Sequence, residues 1–69
     1  MDVPRTRDPL MTLSEVAERL RRSEAQLRWM RHAGTGPRSA KVAGRIMYRQ
    51  SDLETWIDQQ FQNDGTRSA

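Results

Sequence analysis

Apolar residues recur at helical spacing in three stretches of this 69-residue chain and alternate with polar ones in a fourth. Leu13, Val16, Ala17 and Leu20 fall at i, i+3, i+4 and i+7, which gives a helix of about two turns one apolar face. Leu27 and Met30 continue the helical period after a break at Arg21-Arg22. From Arg38 to Arg49 the period shortens to that of a strand. There Ala40 and Val42, then Ile46 and Tyr48, are expected to face the core, with Lys41, Arg45, Met47 and Arg49 pointing away. Leu53, Trp56, Ile57 and Phe61 return to i, i+3, i+4 and i+8, a third helix that would close the core with Trp56 inside it.

Capping residues set the boundaries. Thr12-Leu-Ser-Glu15 has capping-box spacing, and Met11 with Val16 has that of a hydrophobic staple, so the first helix starts near Leu13. Ser23 and Gln26 stand at the N-cap and N3 positions of the second helix, Gly34 supplies a left-handed stop, and Pro37 prevents resumption. Ala43-Gly44 is the hairpin turn, with Gly44 free to take positive φ. Ser51-Asp-Leu-Glu54 has the spacing of a third capping box. Residues 1–10, with two prolines and no period, are expected to form a flexible arm, residues 11–62 one folded domain, and residues 63–69 a flexible polar tail. The fold class is mainly α with a small β-hairpin, in the order α-α-β-β-α.

The second helix admits two wheels. In one, Leu27 and Met30 are buried and Ala25, Arg28, Trp29 and His32 form an outward stripe; in the other, Ala25, Trp29 and Ala33 are the buried stripe. Charge favours the first. Residues 19–49 carry nine bases against the single acid Glu24, a local balance of +8, while the rest of the chain is −5; the whole is +3. Such polarity suits a polyanion such as duplex DNA.

An outward stripe of Arg28, Trp29 and His32, with Glu24 and Gln26 at its start, fits a helix laid in a major groove. Arg21, Arg22 and Ser23 surround the helix N-terminus, where backbone N–H groups already favour a phosphate. Lys41, Gly44 and Arg45 mark the hairpin tip, a wing able to reach a minor groove or the backbone. Each has a plainer alternative: turn arginines are ordinarily solvated, and charge on a hairpin also discourages strand addition.

Other functions find less support. The chain has no Cys, one His and no phosphate-binding loop, so no catalytic residue, metal site or cofactor is expected. No apolar run suggests a membrane segment or small-molecule site. An adaptor using the basic, aromatic surface on an acidic protein stays open.

The order helix, short turn, helix, Gly34-Thr-Gly-Pro37, basic hairpin with Gly44-Arg45, then Tyr48-Arg49 and Ser51-Asp-Leu-Glu-Thr-Trp56, resembles the excisionase and AlpA branch of the MerR-like winged-helix proteins over residues 12–60. The chain looks like a phage excisionase. The resemblance implies a winged helix-turn-helix whose second helix reads a major groove, with the residues around Gly44 and Arg45 in the neighbouring minor groove or on the backbone. It further implies a recombination directionality factor that binds and bends attachment-site DNA cooperatively, a phage integrase as partner, head-to-tail self-association on DNA, and a cytoplasmic, nucleoid-associated location in a bacterial host. An AlpA-like transcriptional regulator is the alternative. Two departures stand out: Arg21-Arg22 occupies a turn where the family usually has Gly and an apolar residue, and Met30 stands where it often has an aromatic. MerR-type regulators dimerise through a long C-terminal helix; the few residues after the third helix here lead us to expect monomers in solution.

Overall fold

A computed structural model describes residues 8–65; the expected flexibility of residues 1–7 and 66–69 lies outside them. The chain runs β1 (Leu10–Thr12), α1 (Leu13–Leu20), α2 (Glu24–Ala33), β2 (Ala40–Val42), β3 (Arg45–Arg49) and α3 (Gln50–Gly65). Three helices and a small antiparallel sheet form a winged helix-turn-helix. The sheet order is β1-β3-β2, so the central strand is the second arm of the hairpin.

α1 begins as its capping box dictates. The Thr12 hydroxyl accepts from the Glu15 N–H at 3.1 Å, and the Glu15 carboxylate accepts from the Thr12 N–H at 2.9 Å. Its end is less ordinary. Arg21 adopts φ 59°, ψ 45°, and the N–H groups of Arg21 and Arg22 reach back to the carbonyls of Glu18 and Ala17, a Schellman closure built on arginine. At α2 the Ser23 hydroxyl accepts from the Gln26 N–H at 3.0 Å. Gly34 at φ 76° ends that helix in the same way, with Thr35 N–H on Met30 O.

Leu13, Val16, Ala17, Leu27, Tyr48 and Leu53 form the buried cluster, with Met11, Leu20, Met30, Ile46 and Ile57 packed around it. Leu27 inside and Trp29 62% exposed select the first wheel of the second helix; Ala25 and Ala33 are exposed.

Several expectations need correction. Residues 8–10 do not belong to a flexible arm, because β1 pairs with β3 from Leu10 onward, Pro9 O accepts from the Gln50 N–H and the Asp8 carboxylate accepts from Ser51. α3 extends to Gly65, so residues 63–65 are helical. In the hairpin, Ala40 pairs with Met47, Lys41 with Ile46 and Val42 with Arg45. The loop has two residues, Ala43 and Gly44, both at positive φ (53° and 83°), and an even loop puts Ala40 and Val42 on the same face as Met47, away from Ile46 and Tyr48. Val42 is accordingly 45% exposed, and Lys41 stands on the Ile46 side. Finally, Trp56 is half-buried and Phe61 is 75% exposed. α3 has 16 residues, about 24 Å, over helices of 8 and 10, so its apolar stripe is covered at Leu53 and overhangs by Phe61. The Trp56 indole N–H donates to Thr35 O at 3.2 Å, tying the helix to the loop after α2.

The third capping box does not form as spaced. The Ser51 N–H and hydroxyl both go to the Asp8 carboxylate, and Glu54 accepts instead from the Gln50 side chain at 3.0 Å.

Candidate nucleic-acid interface

α2 lies with Leu27 in the core, so the stripe one residue later, Arg28, Trp29 and His32, faces solvent. Trp29 and His32 are neighbours, ring centroids 6.1 Å apart at 35°, which makes one exposed aromatic edge on the helix. Arg28 leans back on Glu24 one turn earlier, with N···O 3.7 Å and both side chains about half exposed. A pair this open adds little stability, and its effect is to keep Arg28 aligned along the helix.

The hairpin rises beside the start of α2. Between them is an open cleft of about 360 Å³ whose walls bring together Glu24 and Arg28 from the helix, Lys41, Gly44 and Arg45 from the hairpin, and Thr12 to Ser14 at the start of α1. Three cations and one carboxylate therefore converge from two elements. The parity of the two-residue turn puts Lys41 on the Ile46 side of the sheet and Arg45, across from Val42, on the other, so the two border the cleft from opposite faces of the hairpin.

The remaining predicted residues lie outside this cleft. Ser23 serves the helix as its N-cap, and Gln26 supplies the N–H it binds; the Gln26 side chain is exposed. Arg21 and Arg22 project from the turn, both exposed. Arg22 also borders an apolar groove formed by Leu20, Met30, Trp56, Ile57 and Phe61. The groups are thus spread over the turn, the α2 stripe and the wing, a layout suited to an extended ligand rather than a small molecule.

Two residues absent from the sequence-based set connect these elements. Arg31 Nε donates to Ser39 Oγ at 2.9 Å, and Ser39 also faces the phenol of Tyr48 on β3. Burial pushes the Tyr48 phenol above its ordinary pKa, with Arg31 and Ser39 opposing the shift. Helical spacing gives no hint of this link, since Arg31 and Ser39 belong to different elements.

Among the described residues no helix is long and apolar enough to cross a membrane. No curated protein matches the chain significantly. The family model for the helix-turn-helix domain matches residues 10–60, from the first strand to the middle of α3, and that family includes excisionase- and AlpA-like DNA-binding proteins. With a matched span over most of its length, the chain is a DNA-binding member of the helix-turn-helix domain family.

Proposed function

We propose that the protein is an excisionase, a non-enzymatic recombination directionality factor that binds attachment-site DNA, bends it and turns a phage integrase towards excision. The supporting observation is the convergence of Arg28 on α2 with Lys41 and Arg45 on the wing around one cleft. On duplex DNA, α2 enters the major groove with Arg28, Trp29 and His32 towards base edges, and Gln26 and Glu24 sit at its entry. Arg21, Arg22 and the Ser23 cap meet phosphate at the helix N-terminus. The wing follows the adjoining backbone or minor groove through Lys41, Gly44 and Arg45.

A module of this size buries about 600–1,000 Å² on DNA, little for tight specific binding by one copy. Charge polarity offers a remedy. With the basic face on DNA, Glu18, Asp52 and Asp58 on α1 and α3 are left for basic side chains at the flank of the next copy, whereas Glu15 caps α1 and Glu54 is engaged by Gln50 and Arg19. Contacts between unlike patches are heterologous and extend head to tail along a duplex, so successive bends add.

The experiment is a circular-permutation mobility shift on tandem same-orientation sites from the DNA flanking the gene. Cooperative occupancy with curvature is the expected result. Independent binding to an inverted repeat without a bend would instead establish the AlpA-like regulator, which has the same fold and groove contacts. The adaptor alternative predicts no duplex binding at any salt concentration, whereas phosphate contacts give a steep salt dependence.

A further inference from the structure

Arg31 is one of nine bases in the strongly cationic stretch 19–49, and by charge alone it would be counted as another phosphate contact. Its geometry says otherwise. The Arg31 Nε–H, in the last turn of α2, donates to Ser39 Oγ at 2.9 Å. The Ser39 hydroxyl in turn faces the phenol of Tyr48, a residue buried on β3. Ser39 lies just before β2, where one further step of the register places it across from Tyr48. The relay thus runs from the recognition helix, through the root of the wing's first strand, into the core strand of the sheet.

The connecting loop offers little slack. Gly36 is pressed so close to α2 that a Cβ there would sit 3.1 Å from the Met30 Cβ. Beyond β2, however, the wing is exposed from Lys41 to Arg45 and has no core residue to hold its angle. A two-groove reader requires the helix and the wing to be fixed relative to each other before DNA arrives, because a small misplacement of one element removes the contacts of the other.

We infer that Arg31 and Ser39 are positioning residues: the Arg31–Ser39–Tyr48 relay sets the angle between recognition helix and wing, and so governs specific binding to duplex DNA rather than general affinity for it. The inference rests on the proposal that helix and wing engage DNA together. It predicts that charge at position 31 is insufficient and that an uncharged hydroxyl at position 39 matters as much.

The test compares Arg31→Lys, Ser39→Ala and Ser39→Thr with the wild type on two probes, a duplex enriched by the wild-type protein from a random pool and an unrelated duplex of equal length. All binding is measured well below each variant's unfolding midpoint. Arg31→Lys and Ser39→Ala should each weaken binding to the enriched duplex by roughly tenfold while leaving the unrelated duplex and its salt slope unchanged; Ser39→Thr, which keeps the hydroxyl, should behave as wild type. Combining Arg31→Lys with Ser39→Ala should add little to either alone, as expected for one shared interaction. The inference is overturned if Ser39→Ala binds the enriched duplex as wild type does, or if Arg31→Lys and Ser39→Ala weaken both probes equally. A Lys41→Ala/Arg45→Ala variant run in parallel separates the two levels. If it binds both probes as wild type does, the wing itself is not on DNA and both ideas fall; if it weakens binding while Ser39→Ala does not, only the relay falls.

Discussion

Asp8 caps α3 from 43 positions away in sequence: its two carboxylate oxygens accept from the Ser51 N–H at 3.0 Å and the Ser51 hydroxyl at 2.7 Å. The local candidate cap, Ser51 with Glu54, is thereby replaced by a carboxylate delivered by the residues that lead into β1. One contact pins the start of the fold to the start of its last helix.

These hydrogen bonds hold the Asp8 carboxyl below its ordinary pKa, with Arg49 adding to the same shift. A depressed folded-state value contributes stability that is present above the unfolded-state pKa and lost as pH falls through the folded one. Asp8→Ala should therefore lower the thermal midpoint at neutral pH. Its gap from wild type should close as the pH drops below the ordinary carboxylate range. A gap that is constant with pH would show that the charge is not what the helix end uses.

Arg21 holds the left-handed position that ends α1, where glycine is the usual occupant. A side chain there costs about 1 kcal/mol, and such strain is retained where the side chain is useful. Arg21→Gly should raise the melting temperature by roughly 4–8 °C. The same change should weaken DNA binding and flatten the salt slope by about 0.9, one phosphate contact. Stabilisation with undiminished binding would identify Arg21 as an ordinary surface arginine.

The two tryptophans have opposite surroundings. Trp29 is on the exposed edge with His32, and Trp56 is half-buried with its N–H on Thr35 O. Trp29→Phe should leave stability within about 0.5 kcal/mol, as a surface change does, and should abolish most of the fluorescence change on adding duplex. Trp56→Phe should retain that spectral response and melt earlier. By contrast Leu53→Ala, at a position with no exposed surface, should cost about 2–5 kcal/mol and approach complete unfolding in so small a domain.

What the sequence discloses here is what short-range periodicity carries. Leu13, Val16, Ala17 and Leu20 on α1, Leu27 on α2 and Ile46 with Tyr48 on β3 are each placed by spacing within one element. The stripe of Arg28, Trp29 and His32 follows once Leu27 is inside, so this part of the interface is legible too. Failures occur where one element must be related to another. Ala40 and Val42 are displaced from the core by the parity of a two-residue turn, although the turn itself is visible in the sequence. β1 has only three residues, too few for an alternating pattern, and its existence depends on β3. Asp8 to Ser51 and Arg31 to Ser39 are contacts made through space, and no local spacing encodes them.

Wing charge should act mainly without regard to sequence. Changing Lys41 and Arg45 together to Ala should weaken binding to every duplex and reduce the salt slope by about 0.9 for each phosphate that the wing ceases to neutralise. Salt titrations on two unrelated duplexes measure this directly. Equal slopes for variant and wild type would point the hairpin away from DNA.

Arg28 and Glu24 share one face of α2 at 3.7 Å, and they should affect base choice more than overall affinity. Arg is the commonest partner for guanine O6 and N7, and the Arg28 guanidinium lies at the wall of the cleft where the wing cations converge. Arg28→Ala should cost on the order of 1–3 kcal/mol on an enriched site and relax preference at one base pair. Glu24 has two possible effects on the same surface: it can accept from cytosine N4 while holding Arg28 along the helix, or it can simply repel phosphate. Glu24→Gln separates these by sign. Loss of preference with nearly constant affinity identifies a reading group, whereas a uniform gain on all sequences identifies repulsion alone. Because the two side chains touch, the double variant should fall short of the sum of the single ones if they read one base step together. Strict additivity would mean that the ion pair on the free helix is broken when the protein meets DNA.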